Sequence, residues 1–202
     1  MTLPDNVIPF TGRKALKPDN RPITELDDDE LMLLARGGKK EAFDTLVRRH
    51  QALALLVAAK FLGRVHLAKD VAQNTFIEIL GYLDKYQPRG KFRSFMFKVL
   101  LNQCRMAVRS AKYERKLHVK LATSPQKTPD LPEELVIARE RRREVERALY
   151  KLSMKFRAVL VLRFAGGLQY AEIAEVLELP IGTVKSRIFS GLEKLRRILE
   201  GK

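Results

Sequence analysis

Cysteine is nearly absent from the sequence, since Cys104 is the single cysteine among 202 residues. One thiol cannot form an internal disulfide or a cysteine-rich zinc site, and its isolation is consistent with a reducing cytoplasm. The chain also has no apolar run near the roughly 20 residues that cross a bilayer. Its first 20 residues lack the apolar core of a secretory signal. We therefore expect a cytoplasmic protein without a membrane span.

The residues that usually carry catalysis are also scattered. His50, His66 and His118 are far apart in the sequence, and no His/Cys spacing matches a zinc site. Gly166 and Gly167 are typical of a helix stop rather than of a glycine-rich phosphate loop. The carboxylates are distributed along helical patterns, where solvation or ion pairing is their ordinary role. We therefore expect no catalytic site, no metal and no cofactor, which argues against a nucleic-acid-processing enzyme.

Positive charge, in contrast, is abundant. Lys and Arg number 39 against 24 Asp and Glu, which gives a net charge of +15. Residues 31–116 carry most of this excess, with 18 basic and six acidic side chains. Phosphate contacts by Lys and Arg supply most of the sequence-independent affinity for nucleic acid. The composition therefore predicts a nucleic-acid-binding protein.

The hydrophobic pattern predicts an all-α protein of two small helical domains joined by a flexible linker. Strand signals are almost absent, and apolar residues recur at helical spacing. A segment with three prolines, residues 117–132, separates an N-terminal domain at 26–116 from a C-terminal domain at 133–202. Residues 1–25 contain four prolines without periodicity and are expected to form a flexible tail.

Helix boundaries follow from caps and breakers. A capping-box pattern at Thr24 and Asp27 predicts the start of the first helix, and Gly37 its end. Further helices are predicted at about 39–62, 67–86, 92–116, 133–152, 153–165, 170–178 and 182–199.

The last two predicted helices form a helix-turn-helix pattern. Pro180 lies in the tight turn between them, and Val184 and Ile188 are spaced to face the core. The start of the second helix, where such helices meet base edges and phosphates, carries polar and basic side chains. These side chains belong to Thr183, Lys185, Ser186 and Arg187. An ordinary pair of packed helices with exposed cations is the alternative interpretation.

A basic strip lies in the N-terminal domain. Residues 85–116 hold ten Lys and Arg and a single acid, with Tyr86, Phe92, Phe95, Phe97 and Tyr113 interleaved. Cations can follow phosphates while exposed aromatic rings stack on unpaired bases, so the strip suits single-stranded nucleic acid. For Phe95 a place in the core is the favoured interpretation.

The C-terminal pattern resembles a known family. The runs Leu-Gln-Tyr-Ala-Glu-Ile-Ala at 168–174 and Pro-Ile-Gly-Thr-Val-Lys-Ser-Arg at 180–187 resemble the C-terminal domain of bacterial RNA polymerase sigma factors, above all the extracytoplasmic-function (ECF) group. In that family the domain binds the minus-35 element of the promoter. Glu178 replaces a frequent Gly, which costs roughly 1 kcal/mol if the turn needs a positive φ. Ser190 and Gly191 replace a frequent Arg-Ala, which removes a DNA contact.

The N-terminal domain matches the same family in two places. Asp70 and Gln73 share one helix face, which by itself would be an ordinary solvated surface. Val71 and Thr75 lie on a different face of the helix and are expected to contribute to packing. The run Asp-Val-Ala-Gln-Asn-Thr-Phe at 70–76, however, resembles the sigma surface that grips the coiled coil of the largest polymerase subunit. The run at 92–102 resembles the minus-10 region, with Phe95 in place of a usual Trp and Met106 in place of a frequent Asp. We assign minus-10 binding to Lys91, Arg93, Lys98, Asn102, Arg105 and Arg109.

These patterns predict a sigma factor that binds core RNA polymerase and directs promoter-specific initiation. It would read the minus-35 duplex and the single-stranded minus-10 element, while the polymerase performs the catalysis. The resemblance also implies an anti-sigma factor as a partner. An autonomous helix-turn-helix regulator is the alternative, although it leaves the Asp70/Gln73 pair and the basic strip unexplained.

Overall fold

The structure is a computed structural model that describes the backbone of residues 21–117 and 133–201, and the side chains of residues 21–110 and 140–201. The first 20 residues of the predicted tail and residues 118–132 of the predicted linker lie outside the described residues. The described residues contain helices and no strand, which confirms the all-α prediction.

The helices follow one another in the predicted order. They are α1 (Asp28–Arg36), α2 (Lys40–Leu62), α3 (Val65–Gly81), α4 (Phe92–Leu117), α5 (Glu133–Lys151), α6 (Met154–Leu160), α7 (Tyr170–Leu177) and α8 (Ile181–Leu199). A π-helical turn, Val161–Ala165, continues α6 to the glycine stop.

Helix α1 begins with a reciprocal cap. Asp27 Oδ1 accepts a hydrogen bond from Glu30 N, and Glu30 Oε2 accepts one from Asp27 N, each at 2.8 Å. The predicted box at Thr24 and Asp27 is therefore wrong by three residues, because Ile23–Glu25 forms a separate 3₁₀ turn. Two of the N–H groups at the start of the helix gain partners in this way.

Helix α3 ends at Gly81 rather than at the predicted Tyr86. The Tyr86 hydroxyl donates to Asp29 Oδ1 at 2.5 Å, and Gly90 N donates to Asp29 Oδ2 at 2.6 Å. Asp29 belongs to α1, so a contact distant in sequence fixes the segment that leads into α4. Local periodicity could not reveal this contact.

The N-terminal half packs α1, α2, α3 and α4 around a shared core. Val71 and Thr75 are buried, as their spacing predicted. The Thr75 hydroxyl donates to the Val71 carbonyl at 2.7 Å, which satisfies the polar atom inside the core.

The C-terminal half comprises α5 to α8 and packs α6 and α7 against α8. Val184 and Ile188 are buried, as predicted. Gly191 lets α8 approach α6 closely, since a Cβ at this position would lie 3.3 Å from the Leu160 side chain. Gly191 therefore has a packing role in addition to being a departure from the family pattern.

One hydrophobic core joins the two halves, because its buried side chains come from both. Arg157 stands at this junction. Its guanidinium donates to the Phe61 carbonyl at the end of α2 (2.9 Å) and to the Leu152 carbonyl after α5 (2.8 Å). It also donates to the carbonyls of Leu149 and Tyr150. One buried cation thus caps the C-terminal ends of two helices, where the helix dipole favours positive charge.

Candidate nucleic-acid interface

The predicted minus-10 residues lie on α4 and at its first flanking position. Lys91 and Arg109 are exposed, whereas the other four are half-buried. Asn102 Oδ1 accepts a hydrogen bond from Arg105 Nη1 at 3.1 Å, which orients both side chains. The fold therefore brings the predicted set onto one helix.

Three of these cations are bonded to the C-terminal half. Lys91 Nζ lies 3.0 Å from the Glu175 carboxylate, and Lys98 Nζ lies 2.5 Å from Glu178 Oε1. Arg93 donates to the carbonyl of Gly166. The acceptors belong to α7, to the residue after it and to the glycine stop before it.

Arg93 has an incomplete set of hydrogen bonds. Its guanidinium lies 5.9 Å from the ring centroid of Phe97, in reach of a cation–π interaction. Its Nε is buried without a hydrogen-bond partner. Among the minus-10 candidates, Arg93 therefore has an unused donor in this arrangement.

The interleaved aromatic residues mostly belong to the core. Tyr86, Phe92 and Phe97 are buried, so the prediction of exposed stacking faces is wrong for these three residues. Phe95 is half-buried and its ring lies 5.4 Å from that of Tyr86, which agrees with the core interpretation. Tyr113 lies outside the described side chains. The described part of the strip, residues 85–110, therefore presents cations rather than aromatic faces.

The helix-turn-helix forms as predicted. Helix α7 ends at Leu177 and is followed by Glu178, whose φ of 55° and ψ of 50° are left-handed. Helix α8 begins after Pro180. The turn does require a positive φ, at the place where the family often has Gly. Glu178 is the only non-glycine residue with a positive φ among the described residues.

The predicted minus-35 residues occupy the first two turns of α8. Lys185 and Ser186 are exposed, and Thr183 and Arg187 are half-buried. The Ser186 hydroxyl donates to the Thr183 carbonyl at 3.1 Å. The basic and polar side chains are thus presented from the helix N-terminus, where duplex contacts are made by this motif.

Phe189 is a surface residue of α8 that the sequence patterns did not single out. Its side chain is 67% exposed and lies one helical turn after Lys185. The position of a phenylalanine four residues after Lys185 is the sequence signal that could have identified it. An apolar group there can contact a thymine methyl in the major groove.

The predicted polymerase-binding pair borders an apolar groove. Asp70 and Gln73 are exposed on α3. Gln73 helps to line a groove of about 580 Å³ between α2 and α3, together with Phe43, Leu55, Ile77 and Leu80. Ile77 and Leu80 are 58% and 49% exposed, which is unusual for large apolar side chains. The sequence patterns identified the polar edge of this surface but missed its apolar floor.

The described residues hold no group of three His, Cys, Asp or Glu side chains that could bind a metal ion. Cys104 is buried, and burial raises the pKa of its thiol to about 12. The thiol therefore stays protonated. None of the described helices is long and apolar enough to span a membrane.

Comparison with known proteins connects both surfaces to one class. The family models for sigma-70 region 2 and for sigma-70 region 4 match residues 46–113 and 142–195. The first match contains Asp70, Gln73 and the α4 cations, and the second contains the helix-turn-helix. The fold is therefore that of a bacterial sigma factor.

Whole-chain relatives specify the group. The chain is 31% identical over 170 residues to the ECF RNA polymerase sigma factor SigW of Bacillus subtilis, covering 80% of this chain and 91% of SigW. It is 27% identical over 192 residues to the RNA polymerase sigma-H factor of Pseudomonas aeruginosa, covering 88% and 96% of the two chains. The chain belongs to the ECF RNA polymerase sigma factors, and it directs transcription initiation by core RNA polymerase.

Solved structures share this fold. The chain is similar to CnrH in complex with the cytosolic domain of CnrY, with a TM-score of 0.65, 28% identity and coverage of 87% of this chain and 98% of that chain. A second match is the sigma factor RpoE bound to the anti-sigma factor NepR from Bartonella quintana, with a TM-score of 0.60, 20% identity and coverage of 78% and 96%. The sigma-factor prediction is therefore preferred to the autonomous regulator.

Proposed function

We propose that this sigma factor divides promoter recognition between two domains, residues 26–116 and 133–202. The first would bind core polymerase and the minus-10 strand, and the second would read the minus-35 duplex. The observation that carries this proposal is the exposure of Lys185 and Ser186 on the second helix of a helix-turn-helix. Initiation factors of this class are not catalysts, and we infer that the chain itself has no catalytic activity.

The core-binding surface is the α3 face at Asp70 and Gln73, extended by the apolar groove beside it. A carboxylate and an amide provide directional contacts, while exposed Ile77 and Leu80 supply apolar area. This combination of a polar rim and an apolar centre is typical of stable protein interfaces. Asp70→Lys with Gln73→Ala should therefore weaken holoenzyme formation without changing helix content. Asp84→Lys, at an exposed site outside the groove, is the control and should bind core normally.

The minus-10 surface is the set of α4 cations. Lys91, Arg93 and Lys98 provide the positive charge that follows a phosphate backbone. Asn102 and Arg105 are already oriented by their mutual hydrogen bond. Arg109 continues the basic surface toward the C-terminal end of α4. We expect these residues to hold the opened strand once the polymerase has bound.

The minus-35 surface is the start of α8. Each phosphate contact that is removed should lower the salt slope of binding by about one unit, whereas a lost base contact should cost about 1–3 kcal/mol and relax specificity. Lys185→Ala with Arg187→Ala in the holoenzyme tests the assignment. The control, Lys194→Ala with Arg196→Ala, removes two cations farther along the same helix. Equal losses in the two variants would contradict a specific role for the first turns.

Reconstituted transcription with core polymerase tests the function as a whole. Permanganate reacts with unpaired thymines, so it reports strand opening directly. We expect opened thymines near the minus-10 element only when both core and this chain are present. Tight promoter binding by the chain alone, without opening when core is added, would favour an autonomous regulator.

We also propose an anti-sigma factor as a partner and the cytoplasm as the working compartment. The inhibitor is suggested by the two similar structures, which hold CnrH with the cytosolic domain of CnrY and RpoE with the anti-sigma factor NepR. Core polymerase and promoter DNA occupy the cytoplasm in bacteria. Co-purification of the tagged chain from cells, with core polymerase as the positive reference, would detect such an inhibitor.

A further inference from the structure

Acidic residues of the C-terminal half form ion pairs with lysines that would bind the minus-10 strand. Lys91 and Lys98 are seven residues apart, so they lie two turns apart along one side of the α4 region. Glu175 and Glu178 face them from the end of α7, at 3.0 Å and 2.5 Å. A carboxylate oxygen offers a lysine the same kind of contact as a phosphate oxygen.

The contact at Arg93 follows the same logic. Its guanidinium donates to the carbonyl of Gly166. A Cβ on Gly167 would lie 3.2 Å from Arg93 Nη2, so the glycine pair lets the backbone approach the guanidinium. Three cations assigned to the strand are therefore engaged by acceptors of the helix-turn-helix half.

Glu178 has a specific role in this contact. Its backbone is left-handed, where a glycine would be unstrained, but a glycine would have no carboxylate for Lys98. The hydrogen bond from Lys98 and the charge of that lysine hold the pKa of Glu178 below its ordinary value. The residue is therefore ionised and paired, and its departure from the family pattern gains a contact between the halves.

Buried contacts elsewhere hold the halves in this relation. Arg157 links the end of α2 to the end of α5, and Gly63 lies directly against Tyr150. Exposed ion pairs are weak in isolation, but they need little ordering when other contacts already fix the distance between the partners.

We propose that the free chain adopts a self-masked form. In this form Glu175 and Glu178 form ion pairs with Lys91 and Lys98 and take the place of the promoter strand. This inference rests on the proposed minus-10 role of those lysines. The DNA strand and the C-terminal half then compete for the same cations. The apparent affinity for the strand equals the intrinsic affinity multiplied by the fraction of chains that are open. Core polymerase, by holding the two halves on separate promoter elements, would release the cations.

The test compares two double variants of the full chain. Glu175→Gln with Glu178→Gln removes the masking carboxylates. Glu193→Gln with Glu200→Gln makes the same charge change within α8 and at the residue that follows it, away from the contact. Binding of a fluorescent single-stranded oligonucleotide of mixed sequence is measured at low ionic strength. We expect the first variant to bind roughly 3- to 10-fold tighter than the natural chain, and the second to stay within about twofold.

A distance measurement tests closure without DNA. Labels are attached to cysteines introduced at exposed positions by Asp44→Cys and Arg197→Cys. The natural Cys104 is buried and protonated, so it should not take up label. Energy transfer should report one narrow distance distribution in the natural chain and in the Glu193/Glu200 control. The Glu175/Glu178 variant should show a longer and broader distribution.

The opposite results are equally specific. Equal tightening in both double variants would mean a bulk charge effect and would overturn the proposal. If Lys91→Ala with Lys98→Ala weakens strand binding but Glu175→Gln with Glu178→Gln does not tighten it, the masking proposal is wrong and the minus-10 assignment stands. If the lysine variant has no effect with or without core, the minus-10 assignment fails as well.

Discussion

Gly63 and Tyr150 touch across the two halves so closely that a Cβ at position 63 would lie 2.7 Å from Tyr150 Cδ2. Gly63 ends α2 and Tyr150 belongs to α5. The contact therefore makes one residue responsible for both a helix stop and the approach of the C-terminal half.

The first prediction compares Gly63→Ala with Gly90→Ala. Both glycines have a φ of 66°, but nothing lies within 4 Å of a Cβ at Gly90. Gly90→Ala should cost only the left-handed strain, about 1 kcal/mol. Gly63→Ala must also displace the Tyr150 ring and should cost about 2–4 kcal/mol. Denaturant unfolding measures both, and equal losses would contradict the contact between the halves.

The second prediction concerns Arg157. Burial lowers the pKa of this guanidinium, yet it serves four backbone carbonyls. Arg157→Met would leave these acceptors without their donor and should cost about 2–4 kcal/mol in the free energy of unfolding. Arg163→Met, which removes a half-buried arginine bonded within the C-terminal half, should cost about 1 kcal/mol or less. A single unfolding transition that becomes two in the Arg157 variant alone would show that the halves have been uncoupled.

The third prediction is a pH dependence centred on Asp28. Burial by itself would raise the pKa of Asp28, but hydrogen bonds and charges from His50 and Arg49 outweigh it and lower the pKa below 3.8. A pKa lowered in the folded state stabilises the fold above the unfolded value, and that stability is lost as the pH falls through the folded value.

Asp28→Asn should therefore cost about 1–3 kcal/mol at neutral pH. The difference from the natural chain should shrink as the pH falls below 3.8. Unfolding curves across an acidic pH series measure this difference. The exposed Asp44→Asn is the control and should stay within about 0.5 kcal/mol throughout. A constant difference down to the lowest pH would contradict the role of the Asp28 charge.

The fourth prediction assigns a base contact to Phe189. Replacing single thymines of a selected minus-35 element by deoxyuridine removes one methyl at a time. At one or two positions this should weaken holoenzyme binding about fourfold, the value of one buried carbon. Phe189→Ala should abolish that sensitivity, whereas Leu192→Ala, at another exposed apolar residue of α8, should retain it. If every deoxyuridine substitution affects the natural chain and Phe189→Ala equally, the contact is refuted.

Local chemistry made most of the fold predictable. Val71 and Thr75, and Val184 and Ile188, are buried at the places that helical spacing indicated. Gly63 stops α2 where the sequence predicted, because a left-handed C-terminal residue favours glycine. The start of α8 was predicted to within one residue, because Pro180 lies directly before the helix, where its fixed φ and missing N–H are tolerated.

Contacts between distant residues were beyond this kind of prediction. Asp29 holds the segment between α3 and α4 through Tyr86 and Gly90, and no periodicity connects these positions. Glu178 looked like simple strain, because its partner Lys98 is 80 residues away in the sequence. The three buried aromatics of the basic strip were misjudged because composition cannot tell which side of a helix faces the core.

Synthesis on the ribosome imposes an order on the Arg157 junction. The Phe61 carbonyl and its partner Arg157 are separated by 96 residues. At a translation rate of about 5–20 residues per second, the end of α2 waits about 5–20 s before its cap is made. During that interval the nascent N-terminal half exposes apolar surface that the C-terminal half later covers. The emerging chain is thus a natural client for the chaperones that meet polypeptides at the ribosomal exit.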